Sequence, residues 1–280
     1  MKNIVVGIDF SKNSINSMKH AVAISLKTGG KLHLVWVKTP GAAKGLGKGS
    51  IDDFTKEANR NLELLAKDCK AESPNSEVQI VILEGKTFEV LPQYASNLES
   101  ALIVIGTHGI SGFEEQFLGS NAFKLVCAST VPILILREGI QINRDLTQIL
   151  VPIDISFETL QKVKPAIAFA KAFGAKILFI GFHLRKDKEG KHIVEVQCGH
   201  AAKLCLNANV RHDIEIQEYD NAINDAVVQY AEKKDVNLMI IMREAEGGGL
   251  FIKNTVQQLL ITTPMPLLTI PNINHFSITK

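Results

Sequence analysis

The chain is written twice. The stretch "IVVGIDFS" (4–11) is matched by "ILVPIDIS" (149–156), so that Asp9 corresponds to Asp154 at an offset of 145 residues. At the same offset Ile15, Met18 and Val22 fall on Leu160, Val163 and Ile167, spacings of three and four that put each trio on one helix face. "LHLVWV" falls on "ILFIGF", and Gly30-Lys31 falls on Gly174 and Lys176 within a residue. The offset then drops to 136, where "YASNLESALIVIG" (94–106) lines up with "YAEKKDVNLMIIM" (230–242). "VPILIL" (131–136) and "MPLLTI" (265–270) match near the two ends. A period this long is a duplicated domain and not a solenoid, whose repeats run about 20–50 residues. The reading divides the chain into 1–140 and 146–275. Any fold assigned to one half must also serve the other.

Each copy alternates short β-branched runs with helical patterns. In the first copy the spacing predicts strands near 3–9, 31–37, 78–83, 102–106 and 132–137. The clearest helix is "SIDDFTKEANRNLELLAKDC", in which Ser50 and Asp53 have capping-box spacing. Ile51, Phe54, Ala58, Leu62, Leu65 and Cys69 form its apolar ridge. Apolar strands alternating with helices imply a parallel sheet covered on both faces. Right-handed crossovers then give a doubly wound α/β domain in each half. Ligands in such sheets sit beyond the carboxyl ends of the strands, at the switch point. Asp9 and Gly106 each end an expected strand, and they rim one crevice if those strands are neighbours. Pro132 and Pro266 open the last strand of each copy, a position an edge strand allows. Pro165 interrupts the first helix of the second copy and is expected to kink it or delay its start.

Composition narrows the function classes. Of 280 residues, 46% are hydrophobic and 21% charged, and the formal net charge is +2, which describes a folded chain without a nucleic-acid tail or a basic membrane patch. No apolar run approaches the roughly 20 residues of a membrane span. The first apolar segment, "NIVVGID", is too short and too soon charged for a signal peptide, so the expected location is the cytoplasm. Four widely spaced cysteines fit reduced thiols better than a disulfide framework.

The stretch "GTHGISGFEEQFLGS" (106–120) follows the apolar run "ALIVI". Gly106 and Gly109 are separated by two residues, Gly119 follows after nine more, and Ser120 opens a helical pattern. Glycine lets a backbone approach a ligand, and a helix N-terminus offers free N–H donors and a positive dipole end to a phosphate. The stretch lacks the Lys-Ser/Thr ending of a Walker loop, and it lies at the fourth strand, not at the first where a Rossmann fingerprint would be. Taken alone, these glycines equally describe a turn and a cap.

The motif and the repeat together are similar to the universal stress protein family, in its tandem two-domain form. The nucleotide-binding subset of that family carries G-x2-G-x9-G-S/T, which Gly106, Gly109, Gly119 and Ser120 match. The resemblance also covers the first strand ending at Asp9, and Val37, which takes the place of a valine whose backbone meets adenine. It implies two five-stranded parallel sheets of order 3-2-1-4-5, of the adenine nucleotide alpha-hydrolase-like kind. It implies ATP or AMP in the first domain, with adenine near Asp9 and Val37 and phosphates over Gly109, Gly119 and Ser120. It also implies that the two domains pair through their edge strands as a pseudo-dimer within the chain, an arrangement compatible with a homodimer.

Two departures bear on that expectation. Glu114 and Glu115 lie in the phosphate loop, where many nucleotide-binding members have a basic residue. A carboxylate beside a triphosphate is repulsive unless a metal ion bridges them, which lowers the expected affinity or points to Mg²⁺. In the second copy Met242, Ala245 and Asn254 replace the three motif glycines, and only Thr255 keeps the hydroxyl. The second domain is therefore expected to have lost phosphate binding, although Asp154 leaves another small ligand open.

The remaining candidates read as structural more readily than as chemical. His108 is a solvent-facing loop residue or a phosphate contact. Asp9 has no second carboxylate, nucleophile or base paired with it by motif, so no designed ATPase centre is expected, and slow hydrolysis by a positioned water is the residual alternative. A scaffold or small-ligand carrier without nucleotide is the other. In "CGHAAKLC" (198–205), His200 points about half a turn from Cys198 and Cys205, which makes these cysteines core residues and not zinc ligands. Cys69 and Cys127 are likewise expected on buried helix faces. "LRKDKEGKH" reads as a solvated loop, and "GAAKGLGKG" as a lid-like loop near the crevice.

Overall fold

The computed structural model describes residues 1–39, 51–107, 120–137, 146–219, 223–243 and 253–272. Packing groups the chain into two units, Met1–Arg144 and Asp145–Lys280. The first contains β1 (Asn3–Ile8), α1 (Lys12–Thr28), β2 (Lys31–Lys38), α2 (Ile51–Glu72), β3 (Val78–Glu84), α3 (Thr87–Ser96), β4 (Ala101–Gly106), α4 (Ser120–Ala128) and β5 (Ile133–Leu136). All its strand pairs are parallel, in the order β3-β2-β1-β4-β5. The second repeats the plan with β6 (Gln148–Ile153), α5 (Val163–Phe173), β7 (Lys176–Leu184), α6 (Lys188–Asn207), β8 (His212–Tyr219), α7 (Ile223–Lys233), β9 (Leu238–Arg243), α8 (Lys253–Thr262) and β10 (Leu267–Pro271). Its parallel order is β10-β9-β6-β7-β8. Both units thus have the 3-2-1-4-5 doubly wound sheet.

The central strands are buried along nearly their whole length, as expected when helices cover both faces. In α2, Ala58, Leu62 and Cys69 are buried, and Phe54 and Leu65 are half-buried. Ser50, the expected cap, lies outside the described residues, as does the loop 41–49. α1 starts at Ser11, whose side chain accepts from the Ser14 N–H, and ends at Gly29, which adopts φ 69° and returns its N–H to the Ser25 carbonyl. α5 ends the same way at Gly174, φ 70°. The true counterpart of Gly174 is therefore Gly29, and the offset of 145 holds without a slip.

The two units part company at their first helix. α1 runs unbroken from Lys12, but in the second unit a 3-10 stretch, Phe157–Lys162, precedes α5. Pro165 has no N–H for the Gln161 carbonyl, and its ring crowds that carbonyl, so regular α-helix cannot extend back through it. The proline delays the helix by placing itself in the first turn, where a missing donor costs nothing. Pro132 and Pro266 stand just before β5 and β10, where their carbonyls still accept from the Ile103 and Met239 N–H groups at 3.0 and 3.1 Å.

One expectation about the core is corrected. Cys69, Cys198 and Cys205 are buried, but Cys127 is exposed. On α4 the buried side chains are Ala122, Leu125 and Val126, a narrow stripe that Cys127, one step farther round, misses.

Candidate functional site

The crevice of the first unit is built where the chain leaves β1. Ile8 pairs with Trp36, which brings Asp9 and Val37 side by side at the carboxyl ends of β1 and β2. Strands β1 and β4 are also neighbours, paired through Val6 and Val104, so Gly106 lies at the same end two residues on. The condition set by the sequence is met: β1 and β4 are neighbours, so Asp9 and Gly106 lie at one end of the sheet, where the strand order reverses, with Val37 beside Asp9. Ser120 opens α4, while His108, Gly109, Gly119, Glu114 and Glu115 lie outside the described residues. So do Ala245 in the second unit and the side chains of Asn254 and Thr255.

Local chemistry fixes the turn after β1. Asp9 Oδ1 accepts from the Ser11 N–H at 3.0 Å, and the Asp9 N–H donates to Ser14 Oγ at 3.3 Å. Ser14 Oγ also donates to the Ser11 carbonyl at 3.0 Å. Phe10, between them, has φ 63°, a conformation that side chains other than glycine seldom adopt. The carboxylate therefore has a structural task in holding this turn. Asp9 and Val37 are both half-buried.

Gly106 answers a different demand. Its φ is not among the positive values, so freedom of backbone angle is not the reason for glycine here. A Cβ at this position would lie 2.5 Å from Asn13 Nδ2 and 2.6 Å from its Cγ. Asn13, on the first turn of α1, is 4% exposed, and its amide occupies the space a side chain on residue 106 would need. Sequence reasoning missed Asn13, Ser11 and Ser14. A signal was present for two of them, because "DFSKNS" and "DISFET" share D-x-S-x-x-S/T.

The second unit keeps that turn. Asp154 Oδ1 accepts from the Ser156 N–H at 3.0 Å, and the Asp154 N–H donates to Thr159 Oγ1 at 3.2 Å. Here the Ser156 hydroxyl also donates to Asp154 Oδ1, at 2.5 Å, and Asp154 is buried. Beside it, burial and the carboxylates of Asp154 and Asp187 hold the Tyr219 hydroxyl pKa above its ordinary value. The Cys198 thiol is pushed up to about 12, mainly by burial, against the opposing pull of the Lys162 ammonium. Burial also lifts Cys205, to about 11. Both are therefore protonated at neutral pH and poor nucleophiles. Cys198 and Cys205 line the buried stripe of α6 with Val194 and Ala201, and His200 is exposed on another face. No group of three or more His, Cys, Asp or Glu side chains among the described residues is arranged to hold a metal ion.

The comparisons with known proteins agree with this geometry. The model of the universal stress protein family matches residues 1–137. A universal stress protein of Methanocaldococcus jannaschii is 30% identical over 142 residues, which are 49% of this chain and 82% of that protein. The chain belongs to the universal stress protein family. A universal stress protein from Thermus aquaticus is 26% identical over 136 residues, 49% of this chain and 98% of its own length. Among solved structures, a universal stress protein from Archaeoglobus fulgidus superposes with a TM-score of 0.76 at 16% identity, covering 96% of both chains. The fold is thus shared over 96% of the chain. No helix among the described residues is long and apolar enough to cross a membrane.

Proposed function

We propose that the first unit binds an adenine nucleotide, ATP or AMP, and that this universal stress protein acts as a nucleotide-dependent binding module in a cytoplasmic stress response. The observation that carries the reading is the convergence of Asp9, Val37 and Gly106 on one switch-point crevice, from which the sequence motif runs on to Gly109, Gly119 and Ser120. The start of α4 follows that motif, and a helix of its length offers donors and a favourable dipole to a phosphate. Glu114 and Glu115 make Mg²⁺ the expected companion of ATP more than of AMP.

The unit is read as a binder and not as a hydrolase, because Asp9 Oδ1 and the Asp9 N–H are engaged in the turn. A second reading, a scaffold with structural glycines, draws support from Gly106, which the Asn13 contact already requires to be glycine. Calorimetric titration with ATP and AMP, with and without Mg²⁺, separates them. One site per chain, lost in Gly119→Val, is the expected result. Absence of binding under every condition would leave the scaffold reading, and ADP released above an uncatalysed control would make the unit an enzyme.

A further inference from the structure

Strand registers give a residue-by-residue equivalence between the two crevices. Ile4 pairs with Leu32 and Leu102, and Ile149 pairs with Ile177 and Leu238, so β1, β2 and β4 map onto β6, β7 and β9 without ambiguity. The pairs Lys38–Glu84 and His183–Glu218 do the same for β3 and β8. Four positions then change in one direction. Ser17 becomes Lys162, Val37 becomes Phe182, Gly85 becomes Tyr219 and Gly106 becomes Met242.

Three of the larger residues are packed and the fourth, Tyr219, is half-buried. Lys162 and Phe182 are 0% exposed and Met242 is 3% exposed. The Phe182 ring meets Tyr219 edge-on, with 6.4 Å between centroids. A fifth position changes in the opposite direction, from Trp36 to Gly181. A Cβ on Gly181 would lie 2.3 Å from Val194 Cγ1 and 3.2 Å from Cys198 Sγ, so α6 seats directly on β7. Residues 185–187 link β7 to α6, whereas residues 39–50 link β2 to α2. Gln197 Nε2, from α6, then donates to the Ser156 carbonyl at 3.2 Å and closes the side next to Asp154.

We propose that the crevice of the second unit is filled from within by Lys162, Phe182, Tyr219 and Met242, and that these four residues decide which copy can take a small molecule. The filling removes apolar surface from water at the place where the first unit offers room to a ligand. The second unit thereby holds its strand ends together without a ligand.

Hydrogen exchange on the full chain, read by mass spectrometry separately for the two units, tests this with and without millimolar ATP or adenosine. Neither compound is expected to change exchange in β6 and β7 by more than about twofold. Phe182→Val, which restores the first unit's residue, should speed the slowest amides of the second unit by about tenfold or more, through the cavity it leaves. Slowing of β6 and β7 by either compound in the unaltered protein, or unchanged exchange in Phe182→Val, would each overturn the inference. Protection of β1 and β2 by ATP reads the nucleotide proposal in the same experiment, so failure of one is not mistaken for failure of the other.

Discussion

The two crevices share a floor and differ in their contents. In both, an aspartate ends the first strand, accepts from the N–H two residues on, and donates its own N–H to a hydroxyl five residues on. That turn persists in a copy that has lost the motif glycines, so it belongs to the fold and not to any ligand. An aspartate at this strand end is weak evidence of binding by itself. The informative differences lie around it. Gly106 stands opposite Met242 and Val37 opposite Phe182, while Trp36, half-buried, is exchanged for a glycine under α6.

The strongest way to break the comparison is to return Trp36's counterpart to the second unit. Gly181→Trp would drive an indole into the space held by Val194 and Cys198. Overpacking commonly costs about 1–3 kcal/mol, and a side chain of this size between β7 and α6 should exceed that range. The expected outcome is loss of the second unit's cooperative melting transition while peptides of the first unit keep their exchange protection. A protein that melts as before would mean that α6 can lift from β7, and that the two crevices differ less than their packing indicates.

A middle-sized effect is expected at Gly106. Gly106→Ala places a methyl within 2.6 Å of the Asn13 amide and should cost about 1–3 kcal/mol in urea unfolding. If the contact is the cause, Asn13→Ala recovers part of that cost in the double variant, a coupling that a cycle of the four proteins measures directly. Additive losses would return Gly106 to a purely backbone or ligand role. This glycine also marks the limit of what was legible in the sequence. Its place at a strand end was readable, because β-branched runs end there in both copies. Its reason was not, because Asn13 is a polar residue buried on a helix, and apolar periodicity passes over it.

Elsewhere the same contrast holds. Strand positions and order follow from the repeat and from alternating strand and helix patterns, which depend on burial along whole segments. Cys127 was misplaced because one position on a short helix depends on how narrow its buried stripe is. Pro165 announced an interruption, but whether it kinks or delays a helix depends on how the 3-10 stretch before it packs. The filling of the second crevice was hidden for another reason. The pairing of Gly85 with Tyr219 falls where the repeat changes offset, and only the strand registers assign it.

The smallest expected effect sharpens the comparison at the opposite end of the sheet. His33 is buried on β2, with Nδ1 2.8 Å from the Tyr94 hydroxyl and Nε2 2.9 Å from Asn3 Oδ1. Asn3 Nδ2 donates to the Glu99 carbonyl at 2.8 Å, which turns Oδ1 toward the ring. Asn3 Oδ1 can only accept, so Nε2–H donates to it, and in the neutral imidazole Nδ1 is left to accept from the Tyr94 hydroxyl. Burial, and secondarily the Lys31 charge, hold the His33 pKa below its ordinary value of 6.5. The unfolded chain thus takes up a proton before the folded one does. The stabilisation is complete above pH 6.5 and is lost as pH falls through the folded pKa. Leu178 stands at the same position on β7 and cannot titrate. As pH falls below 6.5 the first unit should therefore lose exchange protection through this group, with no matching contribution at Leu178. Tyr94→Phe should cost about 1 kcal/mol near pH 8, where neutral Nδ1 accepts from the hydroxyl. If Tyr94→Phe cost nothing measurable near pH 8, the Nδ1–Tyr94 bond would carry no stability, and the difference between His33 and Leu178 would be one of packing alone.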